Sequence, residues 1–154
     1  MNGRPVDHRI AVGWREWVAL PELGIKAIKA KIDTGARSSA LHTFHLVPFR
    51  DGRIDKVRFD IHPRQRRTDK VVSCVADIAD RRWVSDSGGH RELRYVIHTV
   101  LRLGSEEWPI ELTLTDRDPM RFRMLLGRTA MADRIRVVPD ASYLLGREKR
   151  KEKR

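Results

Sequence analysis

The sequence predicts a single all-β domain with one short helix near its C-terminus. Three observations carry that expectation. Several segments alternate apolar and polar residues at period two, the pattern of strands buried on one face. Glycine and proline interrupt these segments at short intervals, at Pro21, Gly24, Gly52, Pro63, Gly88, Gly89, Gly104, Pro109, Pro119 and Pro139, as they do in barrels and sandwiches. Only Thr129 to Arg134 reads as a helix. A chain of 154 residues, 40% of them apolar and spread along its length, is long enough to bury a core and suits one domain.

The strands follow in order. Ile28, Ala30 and Ile32 alternate with Lys29 and Lys31, and Val57, Phe59 and Ile61 alternate with Arg58 and Asp60. Val71 to Ile78 is a less regular strand. RRWV, SDSGGH and RELRYVIHTV then read as strand, Gly-rich turn and strand, with Tyr95 to Leu103 rich in β-branched residues. Ile110, Leu112 and Leu114 alternate with Glu111, Thr113 and Thr115. The expected domain spans 1–146. The remaining REKRKEKR, 147–154, reads as a basic, solvated, disordered tail.

Net charge is +11, of which the tail supplies +4. Such a field draws in anions (nucleic acid, acidic peptides, ribonucleoprotein surfaces) or serves solubility alone. No apolar run approaches the roughly 20 residues of a membrane helix. MNGRPVDHRI lacks the apolar stretch of a signal peptide, and the single cysteine, Cys74, excludes an intramolecular disulfide. These features lead us to expect a cytoplasmic protein.

The chemistry gathers in KIDTGARSSALH, residues 31–42. A strand runs into Asp33, and Thr34, Gly35 and Ala36 then turn the chain with little side-chain bulk. Glycine there can bring its N–H close to the carboxylate. A turn is one account, and a carboxylate held by backbone donors at a cleft is the other. Asp33-Thr34-Gly35-Ala36 resembles the Asp-Thr-Gly-Ala signature of aspartic proteases. In those enzymes two close carboxylates share one proton because both cannot ionise. MLLGR, 124–128, followed by TAMADR, resembles their apolar-Gly element and short helix. That likeness implies that Leu126, Gly127 and Arg128 support the loop from beneath.

GWREWVALPELGIKAIKAKIDTGARSSALH, SDSGGHRELRYVI and ELTLTDRDPMRFRMLLGRTAM together resemble one bacterial family across residues 10–147. It is the small retropepsin-like aspartic peptidases, often labelled putative ATP-dependent zinc proteases. Members are encoded beside ATP-grasp ligases that add glutamate to a small-subunit ribosomal protein. The resemblance implies an acid-protease-like closed β-barrel with Asp33 catalytic. It implies peptide substrates, including glutamate-tailed ribosomal protein, and an ATP-grasp ligase as partner. Thr34, Gly35 and Ala36 would support the site, and Arg37 and Ser38 would line the substrate path. Gly88, Gly89 and His90 would form a flap over the cleft, or a plain turn. No cofactor is expected.

One lobe carries one such aspartate, so the second is expected from a twin in an isologous homodimer. Asp86-Ser87-Gly88 is a rival second half-site, but 53 positions from Asp33 leave no room for a lobe. The sequence also departs from the retroviral pattern. Arg37 stands where a carboxylate pairs with the arginine of the Gly-Arg element. It is either a bidentate clamp for a substrate carboxylate or a solvated surface arginine. The basic C-terminus would repel a twin, so a dimer needs another surface.

Zinc finds little support. His8, His42, His45, His62, His90 and His98 are the histidines, with no HExxH, no cysteine pair and no GxxxxGK[ST] loop. His42 and His45 would point to opposite faces of a strand. Three functions follow from the sequence: an aspartic peptidase, a silent basic binding module whose features include HPRQRRTDK at 62–70, and a metallopeptidase.

Overall fold

The computed structural model describes residues 7–86, 88–117, 119 and 121–146. The tail at 147–154 and Ser87 of the hairpin turn lie outside them. Twelve strands and one helix follow in chain order: β1 (Ile10–Val12), β2 (Arg15–Leu20), β3 (Ile25–Asp33), β4 (Ser39–His42), β5 (Phe44–Asp51), β6 (Ile54–Ile61), β7 (Val72–Asp77), β8 (Asp80–Ser85), β9 (Arg91–Leu103), β10 (Glu106–Thr115), β11 (Met124–Gly127), α1 (Arg128–Met131) and β12 (Ile135–Val137). A 3-10 turn at Pro21–Leu23 joins β2 to β3.

The central sheet runs β10-β4-β11-β3-β2-β9, and β9 pairs in turn with β10, so the pairing returns to its start. The seam between β2 and β9 is one registered pair, Ala19 with Arg102. The expected barrel is thus complete in its connectivity but nearly open there. β8 extends the sheet beyond β9 as an edge strand. The separate sheet β5-β6-β7 packs Val57, Phe59, Ile61 and Cys74 onto the same apolar cluster as the barrel's Ile28, Leu41, Leu101, Leu112 and Leu126. Burial pushes the Cys74 thiol up to about 12, which makes it an inert core group.

The alternation in 28–32, 57–61 and 110–115 marks genuine strands with those residues inward. Each runs longer than its pattern, because ladder bonds continue where one face meets solvent. The helix is Arg128–Met131 rather than Thr129–Arg134. Ala132, at φ −54° and ψ 129°, leaves the helical region and ends it, and Asp133 follows at φ 63°. Sequence alternation misses β1, β2, β5 and β12. β5 carries Pro48, which is tolerated because β5 is an edge strand.

The segment at Leu144 and Leu145 is tied down by a buried carboxylate. Glu16 is fully buried on β2. Its carboxylate accepts from the N–H groups of Gly13 (2.7 Å), Leu144 (2.9 Å) and Leu145 (3.3 Å). This side chain joins the backbone bonds from Trp14 N–H to the Ala141 carbonyl and from Tyr143 N–H to the Arg15 carbonyl in fastening the C-terminal segment to the barrel. Glu16→Gln keeps the shape but turns an amide donor toward these donors. We expect it to cost about 2–3 kcal/mol, read as a lower urea midpoint at unchanged m-value.

Candidate functional site

The site is built where β11 is inserted between β3 and β4. It runs parallel to β3, with Gly127 opposite Asp33, and antiparallel to β4, with Leu125 opposite Ala40. The chain leaving β3 at Asp33 must cross the end of β11 to reach β4. Residues 34–38 make that crossing. A Cβ on Gly127 would overlap the Ser38 carbonyl and sit 3.0 Å from the Ala36 oxygen, so only glycine fits.

Backbone donors close the contact. The N–H of Arg128 donates to the Ala36 carbonyl at 2.8 Å, and that of Thr129 to the Arg37 carbonyl at 3.2 Å. The Thr129 hydroxyl also donates to the Arg37 carbonyl (2.9 Å), and Gly127 N–H to Ser39 Oγ (3.0 Å). Arg128 Nη1 reaches the Gly35 carbonyl at 3.3 Å. Within the loop, Gly35 N–H donates to Asp33 Oδ1 at 2.9 Å. Asp33 is half-buried, Thr34 and Arg37 are exposed, and Leu126 is fully buried beneath.

Asp33 opens onto a groove of about 1010 Å³. Its floor includes Ala36, Ser38, Ala40, His42 and Leu125, and its walls include Arg37, Arg82, Asp86, Arg94, Glu111 and Arg117. Strand alternation explains the floor. Ser39 and Leu41 point into the core, so Ser38, Ala40 and His42 point the other way.

β8 and β9 form the expected hairpin, but its tip residues Gly88, Gly89 and His90 are exposed and not among the groove's lining. The hairpin contributes Arg82 to Asp86 instead. Asp86 Oδ1 accepts from Gly88 N–H and His90 N–H, both at 2.9 Å. Those backbone donors, His90 first, hold its carboxyl below the usual range. Its Oδ1 thus fastens the turn, while its Oδ2 lies 3.6 Å from Arg117. Arg82 spans Asp80 (2.8 Å) and both oxygens of Glu111 (2.7 and 3.0 Å).

Sequence reasoning treated His42 only as a metal ligand. It lies in the groove with Nδ1 buried and without a hydrogen-bond partner. Its pKa is pushed down to about 4, chiefly by burial and then by the positive charges of Arg94 and Arg117. The period-two spacing from Ser38 was the signal that could have placed it. Among the described residues no three His, Cys, Asp or Glu side chains converge as metal ligands, and no helix is long and apolar enough to cross a membrane.

Comparison with known proteins gives three findings. Residues 11–148 match the family model described as RimB-like, retropepsin-like aspartic endopeptidase RimB. The chain is 47% identical over 141 residues to a probable alpha-L-glutamate ligase of Parasynechococcus marenigrum, covering 92% of this chain and 30% of that protein. It is 44% identical over 140 residues to one of Shewanella pealeana, covering 91% and 31%. It therefore spans about 30% of the length of these curated relatives. A crystal structure of a Legionella pneumophila protein of unknown function has the same fold. It matches with a TM-score of 0.71 at 24% identity, over 88% of this chain and 97% of that one.

Two outcomes follow from the geometry. Gly127→Ala forces the 34–38 crossing away from β11. We expect it to lose about 2–4 kcal/mol in chemical denaturation. His42 stays neutral in the folded protein down to about 4, whereas its ordinary value is 6.5. The unfolded chain therefore binds the extra proton first, and wild-type stability falls as pH drops through that window. The His42→Gln variant should lose less stability than wild type over the same range, measured by urea titrations at stepped pH.

Proposed function

The chain belongs to the RimB-like family of retropepsin-like aspartic endopeptidases, and on that premise we propose that it is a cytoplasmic aspartic peptidase working as a homodimer on acidic peptides. The observation that carries this is the Asp33 carboxylate, held by the Gly35 N–H at the mouth of a groove by a loop that β11 fixes through its backbone. The loop's exposure in one chain supports a twin: Thr34 lies on the surface.

In the dimer the two Asp33 carboxyls share one proton. The ionised member takes a proton from water as the water oxygen attacks the scissile carbonyl carbon. The protonated member hydrogen-bonds the carbonyl oxygen. The tetrahedral intermediate then collapses, its C–N bond breaks, and the leaving nitrogen receives a proton. Asp33 supplies base and acid, one from each chain.

Substrate choice rests on charge. Arg37 reaches into the groove as a carboxylate clamp. Curated relatives are named probable glutamate ligases, which supports glutamate-tailed peptides, including a ribosomal protein, as substrate and a ligase as functional partner. Nucleic acid is a weaker candidate: in the 62–70 stretch Arg64 and Arg67 both reach Asp69.

Asp33→Asn should reduce cleavage of a glutamate-rich peptide by ~10²- to 10⁴-fold, without changing the melting temperature. Wild type should sediment as a dimer at micromolar concentration. Cleavage surviving in Asp33→Asn would defeat the peptidase reading. A protein that binds such peptides but never cleaves them would be the silent binding module.

A further inference from the structure

We propose that His42, Arg94 and Arg117 form an anion subsite at the end of the groove away from Asp33, which takes a side-chain carboxylate of an acidic peptide. The position in the peptide follows from the strand. β4 begins at Ser39, whose Oγ holds Gly127 opposite Asp33, and rises about 10 Å to His42 at ~3.3 Å per residue. An extended substrate has the same rise, so the carboxylate belongs to a residue about three positions from the bond attacked. This position, though not the binding itself, rests on the peptidase reading above.

Each member has donors to spare. Arg94 is 11% exposed at its side chain and fixed by Glu92 (2.7 Å) and Thr113 Oγ1 (3.3 Å). Those contacts use two of its five N–H groups. Arg117 approaches Asp86 at 3.6 Å, which is longer than a hydrogen bond. It is 56% exposed, and its donors are otherwise unspent among the described residues. The Nδ1 of His42 is buried without a partner, while its Nε2 is neither bonded nor among the buried unpartnered atoms, so it opens to the groove. Glu92 offsets the cations in part, and the two arginines together outweigh it at the imidazole. Between this end and Asp33 the floor includes Ala40 and Leu125, small or apolar.

The test uses the full chain carrying Asp33→Asn, so that binding is read without cleavage. The probe is hexaglutamate blocked at both ends, whose carboxylates are therefore all side-chain groups. In titration calorimetry, adding Arg117→Ala or His42→Gln should weaken binding by at least ~10-fold. Arg117→Glu should weaken it further. Arg53→Ala removes the same charge from an exposed turn far along the chain and should change affinity less than ~2-fold. Blocked hexaglutamine should not bind.

Unchanged affinity in both Arg117 variants, equal binding of hexaglutamine, or no binding of hexaglutamate at millimolar concentration overturns the subsite. Cleavage by the chain with native Asp33 is assayed in parallel. Cleavage that is indifferent to Arg117 removes the subsite and leaves the peptidase. Binding that depends on Arg117 without cleavage does the reverse.

Discussion

Everything at the site depends on one close backbone approach, that of Gly127 to the carbonyls of Ala36 and Ser38. β11 occupies the space between β3 and β4, so the connection between them has to cross it. With no Cβ at the crossing, the N–H groups of Arg128 and Thr129 come within reach of two loop carbonyls. The loop's orientation is then set by peptide groups, and the carboxylate at its start inherits that orientation. Arg37 therefore need not hold the loop: Arg128 donates to the Gly35 carbonyl, and backbone groups hold the Ala36 and Arg37 carbonyls.

Within the charge of +11, two sets of arginines stand apart, beside others that stack on rings such as Arg91 on Trp83. One is spent on neighbours: Arg9 on Asp7, Arg67 on Asp69, Arg82 on Glu111, Arg102 on Glu107. These exposed pairs contribute little stability, but they neutralise each other and leave little field. The other set stands in the groove, where Arg117 lies 3.6 Å from Asp86, too far for a hydrogen bond, and Arg94 has donors left over. The spent set also shapes the wall: Arg82 ties β8 across to β10, and Asp86 ties the turn.

The sequence revealed the strands whose two faces differ in polarity, because Ile28 to Ile32, Val57 to Ile61 and Ile110 to Thr115 alternate cleanly. It hid β2, whose Val18, Ala19 and Leu20 are all buried, since a strand covered on both faces carries no period. The Asp33 loop and the Gly127 element were readable together, because each needs small residues at fixed places for a stated steric reason. Glu16 was not readable. Nothing local marks a carboxylate whose three donors come from Gly13 and from residues 128 and 129 positions away. His42 escaped for a related reason: its environment is made by Arg94 and Arg117, which only the β4–β10 and β9–β10 pairings bring near.

On the proposed reading, the division of labour between loop and twin has a kinetic consequence. A two-lobed enzyme carries both carboxylates at every concentration, but a chain with one Asp33 has a complete site only when paired. Below the dimer dissociation constant the dimer population rises as the square of total protein, and so does cleavage. Anionic substrate that bridges two cationic grooves would favour the pair over two separated chains, since binding to the dimer alone shifts the equilibrium toward it. The groove arginines would then act twice: they select an acidic peptide, and they relieve the repulsion between two basic chains at the axis where the proton is shared.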